Sequence, residues 1–178
     1  SIFSTSTSLT LMFAALALVF TRVINIDDAY KAIDWKIIFL LIGMLPLGNA
    51  MENTGTTTLL SNFVIDTIGQ YGPLVVLLGL YILATILTEV LSNAAAAVLI
   101  IPIAIEIALG MGVNPRTFVM ATVMAISLDF LTPIGHQVNV LIYSPGGYRF
   151  ADFFRVGIGL TILLTISAVI LLPLIWPL

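Results

Sequence analysis

Two short polar stretches interrupt a sequence that is otherwise strongly apolar, and they hold the side chains that could do chemistry. The first is TEVLSN, residues 88–93, and the second is DFLTPIGHQVN, residues 129–139. Both offer hydroxyl, amide and carbonyl oxygens, which can replace part of the hydration shell of a sodium ion, and N–H groups, which can bind an oxyanion. Neither contains Lys or Arg, so an anion there needs helix ends or a co-bound cation. The two stretches therefore predict an ion-binding site rather than a catalytic centre.

Three titratable side chains lie in these stretches: Glu89, Asp129 and His136. A carboxylate inside a membrane segment is functional by default, so Glu89 could relay protons. An imidazole changes charge within the physiological pH range, so a proton-coupled mechanism could use His136 together with Asp129. Structural hydrogen bonds to nearby backbone are the alternative for all three residues. In the same way, Ser92 and Asn93 could simply cap a helix, because both are favoured N-cap residues.

The composition indicates a membrane protein. Of the 178 residues, 60% are hydrophobic and 8% are charged, whereas a soluble domain has about 25% charged residues. The absence of cysteine excludes disulfides and thiolate chemistry, and the single histidine excludes a zinc site built on several histidines. A net charge of −3 without a basic run argues against nucleic acid as a partner. We therefore expect a multi-pass protein of the cell (plasma or inner) membrane, surrounded by lipid and without a cofactor.

The elements that would position the two polar stretches are helices. A bilayer core about 30 Å thick needs roughly 20 helical residues to cross it. The start of the chain, SIFSTSTS, has no basic region ahead of an apolar core, which indicates a chain that begins partway through a larger protein. The whole of 1–178 is predicted to be one all-α transmembrane domain. Its segments, in chain order, are two crossings (about 7–52), an amphipathic arm (53–72), a re-entrant hairpin (73–109), a broken helix (115–143) and a last crossing (153–178).

Two of these segments are predicted to be interrupted inside the membrane. The apolar helices 73–90 and 94–109 meet at Ser92-Asn93 without a polar loop long enough to reach water. Lipid tolerates such a re-entrant hairpin only where protein or a hydrated cavity surrounds the break. The next helix meets Pro133, which lacks a backbone donor, and Gly135, which weakens a helix. We therefore expect a discontinuous helix there, and we expect the two breaks to lie close together.

The basic residues set the expected orientation. Following the segments across the bilayer places Arg116 alone on one side and the other five basic residues on the opposite side. The positive-inside rule makes the crowded side cytoplasmic, so the hairpin enters from outside and the C-terminus ends outside. The five residues on the cytoplasmic side are Arg22, Lys31, Lys36, Arg149 and Arg155.

Three stretches together resemble the divalent-anion:sodium symporter family, which comprises permeases for citrate, sulfate and dicarboxylates. TEVLSNAAAAVLIIPIA is similar to that family's second Ser-Asn-Thr hairpin, and TPIGHQVN followed by YRFADFFRVG is similar to its second broken helix. DWKIIFLLIGMLPLGNAMENTG resembles the signature that opens the same repeat. Together the stretches cover most of residues 34–159. They are most similar to the bacterial branch that carries soluble potassium-uptake-regulator-like domains between its two membrane halves.

The resemblance implies an elevator-type symporter made of two inverted repeats, usually a homodimer. This chain would be the second repeat, the C-terminal half of a larger permease, and the N-terminal half would be its partner. The coupling ion is then sodium, with a proton as the alternative. The implied sodium ligands are Thr88, Ser92, Asn93 and a backbone carbonyl near Leu131. The implied anion contacts are Ser92, Asn93, Ala94, Thr132, Pro133, Gly135 and Asn139.

Two departures from the family pattern bear on the substrate. The third residue of the hairpin motif is Ala94 rather than Thr, and Pro-Pro-Asn is replaced by PIGHQVN. Sulfate is therefore at least as suitable a substrate as a dicarboxylate. An arsenite-type exporter or a sodium/proton antiporter shares the hairpin-and-break layout and stays open. A second alternative is an intramembrane enzyme that uses Glu89, Asp129 and His136 as acid-base groups, but the sequence has no reactive serine or metal motif to accompany them. A third is a structural subunit, in which the loss of the Asn93 side chain would affect stability alone.

Overall fold

The computed structural model describes residues 7–178, which consist of helices and their connections, with no strand in that range. The predicted all-α class is confirmed. Residues 1–6, on which the expectation of a chain beginning within a larger protein rests, lie outside the described residues. The helices are α1 (Thr7–Phe20), α2 (Ile26–Lys31), α3 (Trp35–Asn53), α4 (Thr56–Ile68), α5 (Pro73–Thr88), α6 (Asn93–Gly110), α7 (Pro115–Ile126), α8 (Gln137–Tyr143) and α9 (Phe150–Ile175), with a 3₁₀ turn at Gly69–Tyr71.

The chain divides into two compact units, one that ends at Phe39 and one from Leu40 to Leu178. In the first unit, the indole of Trp35 packs on Tyr30 with 5.1 Å between ring centroids, and its Nε1 donates to the Tyr30 carbonyl at 3.3 Å. This aromatic pair holds the turn between α2 and α3. That residues 1–178 form one transmembrane domain stays a prediction.

The core of the second unit lies between α5, α6 and α7, with α4 and α9 packed on it. The large side chains Tyr81, Ile107 and Phe118 are fully buried there. Small residues let the helix backbones approach each other closely. The alanines of α5, α6 and α7 that are buried in this core are Ala84, Ala96, Ala104, Ala108, Ala121 and Ala125.

Helix α4 occupies the segment predicted as an amphipathic arm, and it packs against α6. Ile65 packs on the core, and the hydroxyl of Thr58 donates to Glu106 of α6 at 3.2 Å. Val64 and Ile68 of α4 also pack on the core, whereas Leu59 and Phe63 are exposed. That this helix is an amphipathic arm stays a prediction.

The first interruption comprises residues 89–92, between α5 and α6. Ser92 has an extended backbone with ψ of 149°, and its Oγ accepts the N–H of Ala95 at 3.3 Å, which caps α6. Asn93 was expected to have non-helical backbone, but it is the first residue of α6 because the cap lies one residue before it.

The second interruption comprises residues 127–136, between α7 and α8, and extends on both sides of the expected break at Pro133 and Gly135. Helix α7 ends early because the amides of Ser127 and Leu128 bond to carbonyls three residues back, at 3.1 Å each, which tightens the last turn. Helix α9 begins at Phe150 rather than at 153. It begins there because Asp152 Oδ2 accepts the N–H of Arg149 at 2.7 Å and caps the helix.

Two helices within residues 7–178 are long and apolar enough to cross a bilayer, judged by length and composition: Asn93–Gly110 and Phe150–Ile175. Many apolar side chains of α9 are exposed, with Val156 at 73% and Leu163 at 60%. Apolar surface of this extent suits contact with lipid.

Helix α9 meets the second interruption at Gly157, which is buried. A Cβ built on Gly157 would overlap the carbonyl of Phe130 and lie 3.2 Å from the amide nitrogen of Leu131. The missing side chain therefore lets α9 lie directly against the backbone of the interruption.

We expect Gly157→Ala to lower the free energy of unfolding by about 1–3 kcal/mol, because the added methyl group forces this backbone away from α9. Gly159→Ala is the matched control, since nothing lies within 4 Å of a Cβ at that position. It should be neutral or stabilising by up to about 1 kcal/mol through helix propensity. Thermal unfolding in detergent measures both variants. Equal midpoints would show that α9 does not pack on the interruption.

Candidate ion-binding site

The carboxylate of Asp129 joins the two interruptions. Its Oδ1 accepts the hydroxyl of Thr88 at 2.9 Å, and its Oδ2 accepts the side-chain amide of Asn93 at 2.6 Å. Thr88 is the last residue of α5 and Asn93 the first of α6, whereas Asp129 lies beyond the end of α7. Asp129 is only 3% exposed and Thr88 is fully buried. The structure therefore brings three of the residues singled out in the sequence into one buried cluster.

The Thr88 hydroxyl lies within hydrogen-bonding distance of three acceptors. It lies 3.1 Å from Asn93 Oδ1, 2.9 Å from the Ile126 carbonyl oxygen and 2.9 Å from Asp129 Oδ1. A hydroxyl has one hydrogen, so it can donate to only one of the three at a time. We call these four oxygens the oxygen cluster: Thr88 Oγ1, Asn93 Oδ1, the Ile126 carbonyl and Asp129 Oδ1. Side-chain oxygens and carbonyls at the ends of interrupted helices can coordinate a sodium ion.

Glu89 makes a second connection between the interruptions. Its Oε1 accepts the backbone N–H of Leu131 at 2.9 Å. Its Oε2 is buried without a hydrogen-bond partner, and the whole residue is 8% exposed. Each partner that the described residues give to the carboxylates of Glu89 and Asp129 is uncharged. The site therefore contains two buried acidic groups held by neutral donors.

Asn139 fixes the shape of the second interruption. Its Nδ2 donates to the backbone carbonyls of Asp129 at 2.6 Å and Thr132 at 3.1 Å. The Thr132 hydroxyl oxygen in turn accepts the N–H of Gly135 at 3.0 Å. Asn139 also lines a cavity of about 300 Å³ that extends to Phe153 of α9. Both of its amide hydrogens are donated to backbone carbonyls of the interruption, so Asn139 holds these two carbonyls in position.

Two of the predicted site residues act as helix caps. Ser92 caps α6, and His136 Nδ1 accepts the N–H of Val138 at 3.2 Å at the start of α8. Both side chains are exposed. No hydrogen bond within residues 7–178 links His136 to Asp129, so the structure does not bring that proposed acid-base pair together. Capping, the alternative left open for Ser92, is the contact that its side chain makes here.

The remaining predicted contacts border the two interruptions. Ala94 lies in the first turn of α6, and Pro133 is buried beside the half-buried Gly135. Leu131 was predicted to offer its carbonyl, and the structure uses its amide for Glu89. The carbonyl of Ile126 could not be identified from the sequence, because a backbone oxygen has no residue-type signal. It is available to Thr88 because α7 ends at Ile126.

Comparison with known proteins gives the chain relatives among transporters. Residues 2–125 match the model of a family described as Citrate transporter. The chain is 43% identical over 169 residues to the "Uncharacterized transporter sll0640" of Synechocystis sp., covering 95% of this chain and 28% of that protein. It is 39% identical over 156 residues to the "Uncharacterized transporter YfbS" of Escherichia coli, covering 88% of this chain and 26% of that protein.

A more distant relative carries a substrate in its name. The chain is 30% identical over 156 residues to the "Sodium/sulfate cotransporter 1" of Chlamydomonas reinhardtii, covering 87% of this chain and 18% of that protein. The chain therefore spans between 18% and 28% of the length of these three curated relatives.

We expect Thr88→Val to lower the free energy of unfolding by about 1–3 kcal/mol, because it removes the hydroxyl donor from buried acceptors. Thr85→Val is the matched control: Thr85 is also buried in α5, but its hydroxyl donates to the Tyr81 carbonyl of its own helix at 3.0 Å. That carbonyl keeps its place in the helix, so the control should cost less than about 1 kcal/mol. Thermal unfolding in detergent compares the two, and an equal or larger loss in Thr85→Val would contradict the structural role of the cluster.

Proposed function

Because the chain belongs to the citrate transporter family, whose members are permeases rather than enzymes, we propose that it takes part in sodium-coupled transport of a small divalent anion. Membership of this family makes it an integral membrane protein. Sulfate is the first candidate substrate, since one relative is named for it, and a dicarboxylate is the second. The observation that carries the proposal is the oxygen cluster, where one hydroxyl hydrogen faces three acceptors.

Sodium is proposed to occupy the oxygen cluster. A cation there would take lone pairs from Thr88 Oγ1, Asn93 Oδ1, the Ile126 carbonyl and Asp129 Oδ1, and would offset the charge of Asp129. The ligands come from α5, α6, the end of α7 and Asp129 in the second interruption, so binding would tie the two interruptions together. Ser92 and the Leu131 carbonyl, which the family resemblance implies as further ligands, stay predictions.

The anion is proposed to lie at the amino end of α6. The first hydrogen bond of this helix runs from the amide of Ala96 to the carbonyl of Ser92, so the amides of Asn93 and Ala94 precede it. Such amides and the positive end of the helix dipole attract anions. Ala94 adds no hydroxyl at this end, which favours a compact oxyanion such as sulfate over a longer dicarboxylate.

The second interruption is proposed to form the opposite wall of the anion site. The hydroxyl of Thr132 faces Gly135, and Asn139 holds the Thr132 carbonyl in place. Asn139 would therefore shape this wall rather than donate to the anion. The residues proposed to line the anion site are Ser92, Asn93, Ala94, Thr132, Pro133, Gly135 and Asn139.

The buried carboxylates give a physical reason for coupling. Asp129 and Glu89 repel an approaching anion, and their partners among the described residues carry no charge to offset this. A bound sodium ion lowers that repulsion and so raises the affinity for the anion. By linkage, the anion raises the affinity for sodium by the same factor.

The membrane arrangement is proposed on the family's pattern. Residues 73–109 would form a re-entrant hairpin that enters from outside, with 115–143 as the discontinuous helix facing it. The C-terminus would end outside the cell membrane. An N-terminal half with a matching inverted repeat would complete the permease, which would work as a homodimer by an elevator motion.

Uptake of radiolabelled sulfate into proteoliposomes that contain the complete permease tests this function. An inward sodium gradient is expected to drive accumulation, and a potassium or proton gradient of the same size is not. We expect Asn93→Ala to abolish the sodium-dependent uptake with near-normal expression, because it removes Asn93 Oδ1 from the cluster and its amide from Asp129.

Asn114→Ala is the matched control, because Asn114 caps α7 by accepting the N–H of Arg116 at 3.0 Å, away from the cluster. It should cost about 1 kcal/mol of stability and leave uptake intact. Full sodium-dependent uptake in Asn93→Ala would show that the hairpin does not contribute to the site. Equal uptake driven by a proton gradient alone would contradict sodium coupling.

A further inference from the structure

The hydrogen bond from the Leu131 amide to Glu89 Oε1 joins the hairpin (73–109) to the second interruption without using any residue of the oxygen cluster. The other hydrogen bonds that the described residues show between these two segments run from Thr88 and Asn93 to the carboxylate of Asp129. A sodium ion in the cluster would take lone pairs from all three of these side chains, so their contacts would change when the ion binds. The bond to Glu89 can stay in place with or without the ion.

We infer that Glu89 is a positioning residue of the proposed sodium site. By accepting the Leu131 N–H, it holds the second interruption so that Asp129 Oδ1 faces the other oxygens of the cluster. This inference rests on the proposed function, which places sodium in the cluster, and it adds a residue that acts on the ion through the backbone. The role requires an acceptor oxygen on residue 89, and it does not require a negative charge there.

The backbone that carries Asp129 is held on several sides. Leu131 follows Asp129 by two residues, so the bond to Glu89 fixes the chain directly beyond the proposed ligand. Asn139 donates to the Asp129 carbonyl at 2.6 Å, and α9 lies against the same stretch of backbone at Gly157. Of these three contacts, the one to Glu89 comes from the hairpin. It therefore sets how far Asp129 lies from the cluster oxygens that the hairpin supplies.

Packing at Gly135 links the two acidic side chains a second time. A Cβ built on Gly135 would lie 2.8 Å from Glu89 Oε2 and 3.2 Å from the Cβ of Asp129. The backbone of Gly135 therefore packs against both side chains at once, and both are buried. Because close-packed interiors transmit displacements, a shift of the Glu89 side chain would reach Asp129 through this contact as well.

Two substitutions of Glu89 separate positioning from charge. Glu89→Gln keeps Oε1 as the acceptor and places an amide where Oε2 has no hydrogen-bond partner, so it loses no hydrogen bond. Glu89→Leu has a side chain of similar size without an acceptor, so it leaves the Leu131 N–H unpaired. If Glu89 acted through its charge, the two variants would weaken sodium binding alike, because both lack the charge.

Equilibrium binding of radioactive sodium to the purified complete permease makes this comparison. We expect Glu89→Gln to bind sodium about as tightly as the wild type and Glu89→Leu to bind it about tenfold more weakly, because only the latter loses the acceptor. Glu106→Leu is the matched control: Glu106 also accepts a hydrogen bond from another helix, that of Thr58 at 3.2 Å. It lies on α6 about 20 Å beyond Asn93, at roughly 1.5 Å per residue, and its loss should leave sodium affinity unchanged.

Sodium-driven sulfate uptake gives a second readout. In Glu89→Leu, the sodium concentration for half-maximal uptake should rise about tenfold, while the maximal rate at saturating sodium stays near that of the wild type, because more sodium restores the arrangement of the cluster. A purely structural role would instead lower the amount of active permease and so the maximal rate, with no change in the half-maximal sodium concentration. If the wild type shows no sodium-driven uptake, the proposed function fails, and the binding comparison still decides the role of Glu89.

Two binding results overturn the positioning role: equal weakening in Glu89→Gln and Glu89→Leu, or wild-type affinity in Glu89→Leu. Glu89→Met, which also lacks an oxygen, takes the place of the leucine variant if that variant does not fold. If neither folds, Glu89→Gln decides alone: wild-type sodium affinity supports the role of an uncharged acceptor, and a clear loss of affinity overturns it.

Discussion

The structure around the site depends on one buried carboxylate, that of Asp129, held by two neutral donors from the hairpin. A charged carboxylate that is removed from water and accepts hydrogen bonds only from uncharged groups is not fully compensated, so its burial costs free energy. The core of small and large apolar side chains between α5, α6 and α7 supplies free energy that offsets this cost. The proposed sodium ion would offset this negative charge, which the uncharged partners given to Asp129 among the described residues do not.

The same carboxylate connects the parts that would have to respond to an ion. Thr88 ends α5, Asn93 begins α6, and Asp129 follows α7, so a cation among their oxygens changes the contacts of three helix ends at once. These ends also carry the amides of α6 that are proposed to receive the anion. In the proposed arrangement, cation and anion would share residues without sharing ligand atoms, which suits a coupled pair of sites.

Much of this could be predicted from the sequence, because polar residues inside apolar runs and the Pro133-Gly135 pair are strong local signals. The all-α class, the positions of both interruptions to within a few residues, and the candidates Asn93 and Asp129 came from such signals, whereas Thr88 came from the family resemblance. The rest depends on tertiary contacts. The Ile126 carbonyl carries no side-chain signal, the unpaired oxygen of Glu89 is defined only by what fails to reach it, and the separation of His136 from Asp129 follows from the length of the second interruption.

Two glycines determine how much freedom the interruption has. Gly157 brings the backbone of α9 against Phe130 and Leu131, which fixes one side of the interruption by direct backbone contact. On the other side, Glu89 holds Leu131, while Thr88 and Asn93 hold Asp129. Gly135 packs against that second side, because a Cβ there would lie 2.8 Å from Glu89 Oε2 and 3.2 Å from the Cβ of Asp129. The α9 side is held by backbone contact and the hairpin side by side-chain hydrogen bonds, so a structural response to the proposed sodium ion would occur first at the hairpin contacts.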